Sequence, residues 1–220
     1  METKTTKNGL FLFLGITLFV QAVTSLIGGL MFKNLGSETN IEVTMSNIAH
    51  NVISVNISLL LQIVTAMVII MLGVAIYHIA GHINKTMAVL ALLFYAIEAT
   101  LLAVSQSFTF GLMKVSLLYM ANSDAGLLSL GSALFACKDF TAKMALIPFG
   151  LGAILFYYLL MEAKIIPKWL ALWGLVTAPF ILVSVPLMAF GVKVPIILLA
   201  PYVPFEFFTG IYILIKYRKN

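Results

Sequence analysis

A single cysteine, Cys137, stands in 220 residues, which excludes an internal disulfide and any metal site built on several thiolates. Charge is scarce too: Asp, Glu, Lys and Arg supply 10% of the chain, against about 25% in soluble domains. No proline precedes Pro148, so the first half has no built-in helix breaks while the second has seven chances for one. Enzyme signatures are missing as well. There is no H-E-x-x-H, no G-x-S-x-G, no phosphate-cradling glycine loop and no pair of aspartates on facing apolar runs. The chain therefore reads as non-enzymatic, with no cofactor and no metal expected.

Apolar residues are what the chain has in quantity, 62% of the total with a mean hydropathy of +1.09. A helix needs roughly 20 mostly apolar residues to cross the hydrocarbon of a bilayer. Six runs qualify: Gly9 to Phe32, Val52 to Tyr77, Met87 to Phe110, Phe140 to Met161, Trp169 to Phe190 and Val194 to Ile215. Runs that are apolar on both faces satisfy their backbone internally only as helices. The expectation is an all-α, polytopic membrane helix bundle, one domain over residues 1–220, with six transmembrane helices. Residues 111–139 are either a loop with a short helix or outward extensions of the third and fourth spans around the turn ANSDAG. Lys4 and Lys7 precede an apolar core longer than a signal peptide's, so the first run is read as a span.

Orientation follows the basic residues near span ends. With the N-terminus in the cytoplasm, Lys4, Lys7, Lys85, Lys164, Lys168, Lys216, Arg218 and Lys219 lie inside, eight of the thirteen Lys and Arg. Both termini are thus expected to be cytoplasmic, in a multi-pass protein of the inner membrane. Trp169 and Trp173 suit an inner interfacial belt. The net charge of +5 is explained by this bias and by anionic headgroups, so membrane lipids are the expected partners and nucleic acid is not. A homodimer is compatible with the sequence.

Polar residues within the spans recur at helical spacing. Asn51, Ser54, Ser58, Gln62 and Thr65 share one face of the second span; Thr17, Gln21, Thr24 and Gly28 share one of the first; Tyr95, Glu98, Ser105 and Thr109 follow the third. Such faces either hydrogen-bond neighbouring helices or line a wet cavity. The second span's stripe occupies its outer half, whereas Ala66 to Ile76 is almost wholly apolar, a pattern that suits a cavity open outward and closed below.

Two acids stand out. An ionisable group at bilayer depth is costly and normally faces the bundle interior with a partner. Counting at 1.5 Å per residue from the cytoplasmic ends, Glu98 lies roughly 18 Å deep and Glu206 roughly 15 Å. At one level, two adjoining carboxylates would share a proton; alternatively each is a neutral, hydrogen-bonded packing group. Pro201 and Pro204, just before Glu206, would leave the carbonyls of Ile197 and Ala200 unpaired, which irregular backbone lining a cavity tolerates. The leading expectation is binding or transport of a small solute, cation or proton. Glu98 and Glu206 would form the floor of an outward cavity, and Gln21, Gln62, Ser105 and Tyr202 its walls. The alternative is a non-catalytic sensor, or a stress or immunity protein, acting through helix packing with a partner. His78 and His82, four apart, read as an interfacial pair. Asp139 and Lys143 are spaced as an ion pair, with Lys143 placed to meet an anion at a cavity mouth.

The segments SNIAHN, YAIEATLL around Glu98, FYYLLMEAKIIPKWLALWGLV and PFEFFTGIYILIKY resemble the bacterial membrane family known as domain of unknown function 4386, over nearly the whole chain. That resemblance implies a six-helix inner-membrane protein and draws weight to Glu98 and Glu206, without an activity to carry over. Where the family's fourth helix tends to open with a histidine and an aromatic residue, this chain reads CKDFTAKMAL.

Overall fold

A computed structural model describes residues 4–36, 40–189, 192, 194–195 and 202–218. The described residues form seven α-helices: α1 (Lys4–Lys33), α2 (Ile41–His50), α3 (Val52–Ala80), α4 (Lys85–Asn122), α5 (Ala125–Glu162), α6 (Lys168–Ala189) and α7 (Tyr202–Arg218). Five segments, Asn8–Lys33, Val52–Ala80, Lys85–Asn122, Ala125–Glu162 and Lys168–Met188, are long and apolar enough to cross a membrane. The sixth expected span, Val194 to Ile215, is described mainly in its second half. There α7 has 17 residues, about 25 Å of helix, while Pro201, Ile197 and Ala200 lie outside the described residues.

α7 brings the chain back to the end of the bundle where α1 starts. The rings of Phe11 and Tyr217 are 4.4 Å apart, and Lys216 Nζ donates to the carbonyls of Lys164 and Ile165 at 3.2 and 2.8 Å. Those carbonyls belong to the tight α5–α6 corner, in which Lys164 takes a left-handed φ of 56°. These carbonyls lie just past the end of α5, and the ammonium satisfies acceptors that no helix donor reaches. This terminal end is therefore held together by α1, α7 and the corner between α5 and α6.

Toward the opposite end two helices are longer than a bilayer crossing needs. α4 and α5 have 38 residues each, about 57 Å at 1.5 Å per residue against a hydrocarbon core of roughly 30 Å. Residues 111–139 thus extend the two helices around the turn at Ser123 and Asp124. Asp124 Oδ1 accepts from Gly126 N at 2.7 Å to start α5. α2 lies on this extension. Asn40 caps it by accepting from the amides of Glu42 and Val43, and Tyr119 on α4 donates to Glu42 at 2.9 Å. The SNIAHN segment forms its last turn and the joint with α3, where Asn51 donates to the Asn47 carbonyl at 2.9 Å. Burial follows the same division. One cluster, including Ile76, Ala91, Phe156, Leu160 and Phe205, fills the membrane-level bundle; a second, around Met45, Ile48, Leu112 and Met113, sits under α2.

Candidate functional site

The polar stripes first act as a zipper between helices. Thr24 on α1 and Thr65 on α3 share a hydrogen bond of 2.7 Å. One and two turns toward α2, Gln62 Nε2 donates to the Ser25 carbonyl at 3.2 Å and Ser58 Oγ to the Gly28 carbonyl at 2.7 Å. Gly28 makes that approach feasible, since a Cβ there would stand 3.0 Å from Gln62 Nε2. Between α4 and α5, Ser105 Oγ donates to the Lys138 carbonyl at 3.0 Å. Thr17 and Thr109 instead satisfy themselves on carbonyls of their own helices. Buried hydroxyls are thereby paired without charge, which is the usual way polar groups survive in a membrane bundle.

Deeper in the bundle, Glu98 of α4 and Glu206 of α7 line one void of about 10 Å³, together with Gln21, Tyr95 and Tyr157. That volume holds about one water molecule. Glu98 is 5% exposed and Gln21 also 5%. The side chains of Gln21 and Tyr202 are turned toward Glu206, and Tyr202 also meets Tyr157, while Gln21 Oε1 and Glu98 Oε2 have no hydrogen-bond partner among the described residues. No Lys, Arg or His lines the void, so nothing cationic from the protein balances the carboxyls there. Unsatisfied buried acceptors of this kind cost on the order of 1–3 kcal/mol each.

Aromatic rings wall this void. Tyr157 packs on Phe205 with centroids 4.5 Å apart and on Tyr202 at 6.4 Å; Phe149 meets Tyr202 at 5.1 Å. Glycines make room for them. A Cβ on Gly152 would stand 2.8 Å from the Tyr95 ring, and one on Gly174 would fall within 2.4 Å of Phe205. Pro204 and Glu206 both lie in the first two described turns of α7, and the expected kink at Pro201 falls outside the described residues.

Above the acids the bundle opens. A cavity of about 540 Å³ lies between α1, α3, α4 and α5. Its wall includes Gln62, Ser105, Gln106, Lys33, Lys138 and Lys143. A narrower crevice of about 240 Å³ between α1 and α7 is lined by Ser25, Gly29, Glu206 and Phe207. Gly29 borders both of these spaces, and Glu206 borders both the crevice and the acid void. The six expected site residues therefore divide: Glu98, Glu206, Gln21 and Tyr202 gather below, while Gln62 and Ser105 face the larger cavity. Sequence reasoning did not single out Tyr157, Gln106 or Lys138 as lining residues. Lys138 was within reach of it, one position before the Asp139–Lys143 pair that the structure forms at 2.6 Å.

Apolar side chains facing outward, such as Leu93, Met67 and Val183 at 52%, 58% and 61% exposure, around an inward polar seam make this a multi-pass helical membrane protein. Residues 13–216 match the family described as Domain of unknown function (DUF4386), and the chain belongs to that family. No curated protein and no solved structure matches it.

Proposed function

We propose that this protein resides in the bacterial inner membrane with both termini in the cytoplasm, and that its Glu98–Glu206 pair binds a proton or a cation no larger than a water molecule. The orientation is supported by the terminal end, where Lys85, Lys164, Lys168, Lys216 and Arg218 face one acid, Glu162, among the described residues. The observation that carries the reading is the shared void of about 10 Å³, lined by both carboxyls, with Gln21 Oε1 and Glu98 Oε2 left unpartnered. Two carboxyls with no protein cation between them reach neutrality by holding protons or a small cation. An organic solute does not fit that space. The crevice that Glu206 lines shares Gly29 with the larger cavity, which supports access to the pair from that side.

The test is proton uptake by liposomes that contain purified protein and a trapped pH dye. Acidification driven by an imposed gradient is expected, slowed about tenfold or more in Glu98→Gln and in Glu206→Gln, as loss of an essential relay group requires. Folded variants with undiminished flux would rule the pair out.

One observation favours the sensor reading as a second. Toward the terminal end from the acids, Leu72, Ile76, Ile79, Ala88, Leu159 and Leu160 are buried and apolar, so among the described residues they form an apolar block between the pair and that side. In a sensor, filling the void shifts α7 against α6 without flux. Trp173 reports on that contact, its ring centred 5.7 Å from Phe205. In a Trp169→Phe background its emission would respond to pH, and Glu206→Gln would abolish the response.

A further inference from the structure

The larger cavity has a chemistry of its own, opposite in sign to the acid void. Lys33, Lys138 and Lys143 all reach its wall, against one carboxylate, Asp139. Asp139 is spent on Lys143, the one ion pair among the described residues. Two positive charges, Lys33 and Lys138, are left facing the space without a carboxylate. Lys138 is held in place. Its Nζ lies 4.2 Å from the centroid of the Phe32 ring and 5.9 Å from that of Phe135, and its carbonyl is pinned to α4 by Ser105. Ring faces attract an ammonium but cannot neutralise it. The cavity's volume of about 540 Å³ falls within the range of small-molecule sites, which combine apolar walls with a few fixed polar groups. Here Phe32, Phe135 and Leu102 supply the apolar wall, and the Gln106 side chain adds hydrogen-bonding capacity beside the lysines.

We propose that this cavity binds a phosphate group, with Lys138 as its fixed anchor and Lys33 as the second contact at the rim. Lysine ammoniums are compact point charges that bind phosphate oxygens without demanding the planar geometry of a guanidinium. Ser105 and Gln106 on the cavity wall lie about 30 Å of helix beyond Lys85, close to a bilayer's hydrocarbon thickness, so the phosphate belongs either to a lipid headgroup whose tails remain in the membrane or to a free phosphate from the aqueous side. The site does not depend on the acid pair's acting as a proton site.

The experiment measures binding to purified full-length protein in neutral detergent. One arm titrates inorganic phosphate; another titrates short-chain phosphatidylglycerol, with phosphatidylcholine as the zwitterionic control. Saturable binding in the inorganic phosphate arm supports the site with a free ligand. Binding of phosphatidylglycerol over phosphatidylcholine, without inorganic phosphate binding, supports it with a headgroup. In either case Lys138→Gln is expected to weaken affinity about tenfold, the loss of one charge-assisted contact, and Lys33→Gln to weaken it less. Lys114→Gln is expected to change nothing, because Lys114 also lies over a ring, that of Phe110 at 5.2 Å, but lines none of the cavities described above. If Lys138→Gln does not fold, two readouts stand in its place. Wild-type affinity must fall with added sodium chloride, since the contact is ionic, and Lys33→Gln must weaken it. The proposal is overturned by absence of binding in both phosphate arms, by binding indifferent to salt, or by a folded Lys138→Gln or Lys114→Gln that behaves contrary to these expectations.

Discussion

The two ends of this bundle solve the same problem, polar groups in a mostly apolar chain, in opposite ways. Toward the termini, rings and glycines interlock around two carboxyls and leave space for about one water. Toward α2, hydroxyls and amides join helices in pairs, α1 to α3 and α4 to α5, and a cavity of about 540 Å³ remains between the pairs. Tight packing keeps a few polar groups unsatisfied below, whereas loose packing satisfies nearly all of them above. The contrast teaches that depth alone does not decide how a membrane helix handles polarity; what matters is whether its neighbours meet it through ring faces or through hydrogen bonds.

Packing density offers the hardest test of that contrast. Phe205 is fully buried among Tyr157, Tyr202 and Trp173, whereas Phe135 is half-buried on the wall of the upper cavity. Within a membrane the loss on truncation is mainly dispersion contact and a dry void, since lipid tails are as apolar as the core. Phe205→Ala should therefore destabilise by about 3 kcal/mol or more, in the range of buried aromatic truncations, and Phe135→Ala by about 1 kcal/mol or less because it enlarges an existing cavity. Reversible unfolding in mixed micelles measures both. Equal losses would mean the two ends are packed alike.

The sequence made the membrane class legible through hydropathy, and residue counting from the span ends placed both acids at one level. Less of the α2 end could be read. A bilayer sets a length for spans, and hydropathy left residues 111–139 open between a loop with a short helix and extension of two helices; the extension is stabilised by α2, which covers Leu112 and Met113. α2 itself left a local signal, Asn40 followed by an acid in the first turn, in the stretch between the first two expected spans. The stripes were visible as periodicity, but whether Gln62 faces the acids or the upper cavity depends on how α1 and α7 sit against α3, which one helix's sequence does not contain.

Smaller effects sharpen the picture of the zipper. Thr24 and Thr65 meet at 2.7 Å across α1 and α3, and each can also bond a carbonyl of its own helix. Because that fallback exists, a double-mutant cycle with Thr24→Val and Thr65→Val should give a coupling of only about 0.6 kcal/mol, the average for such bonds in membrane proteins. A coupling of several kcal/mol would show that the pair anchors the bundle instead of merely closing its seam.

The least disturbing change should be the most discriminating. Asp139 and Lys143 form a half-exposed i, i+4 pair, and such pairs contribute about 0.5 kcal/mol or less. Asp139→Asn should therefore leave unfolding almost unchanged. It also removes the one carboxylate from the wall of the upper cavity and frees Lys143 to join Lys33 and Lys138. Phosphate affinity should then rise a few fold, most at low ionic strength, where partly exposed charges are least screened. A substitution silent in stability yet audible in binding separates the pair's small role in holding α5 from its larger role in setting the charge that an incoming anion meets.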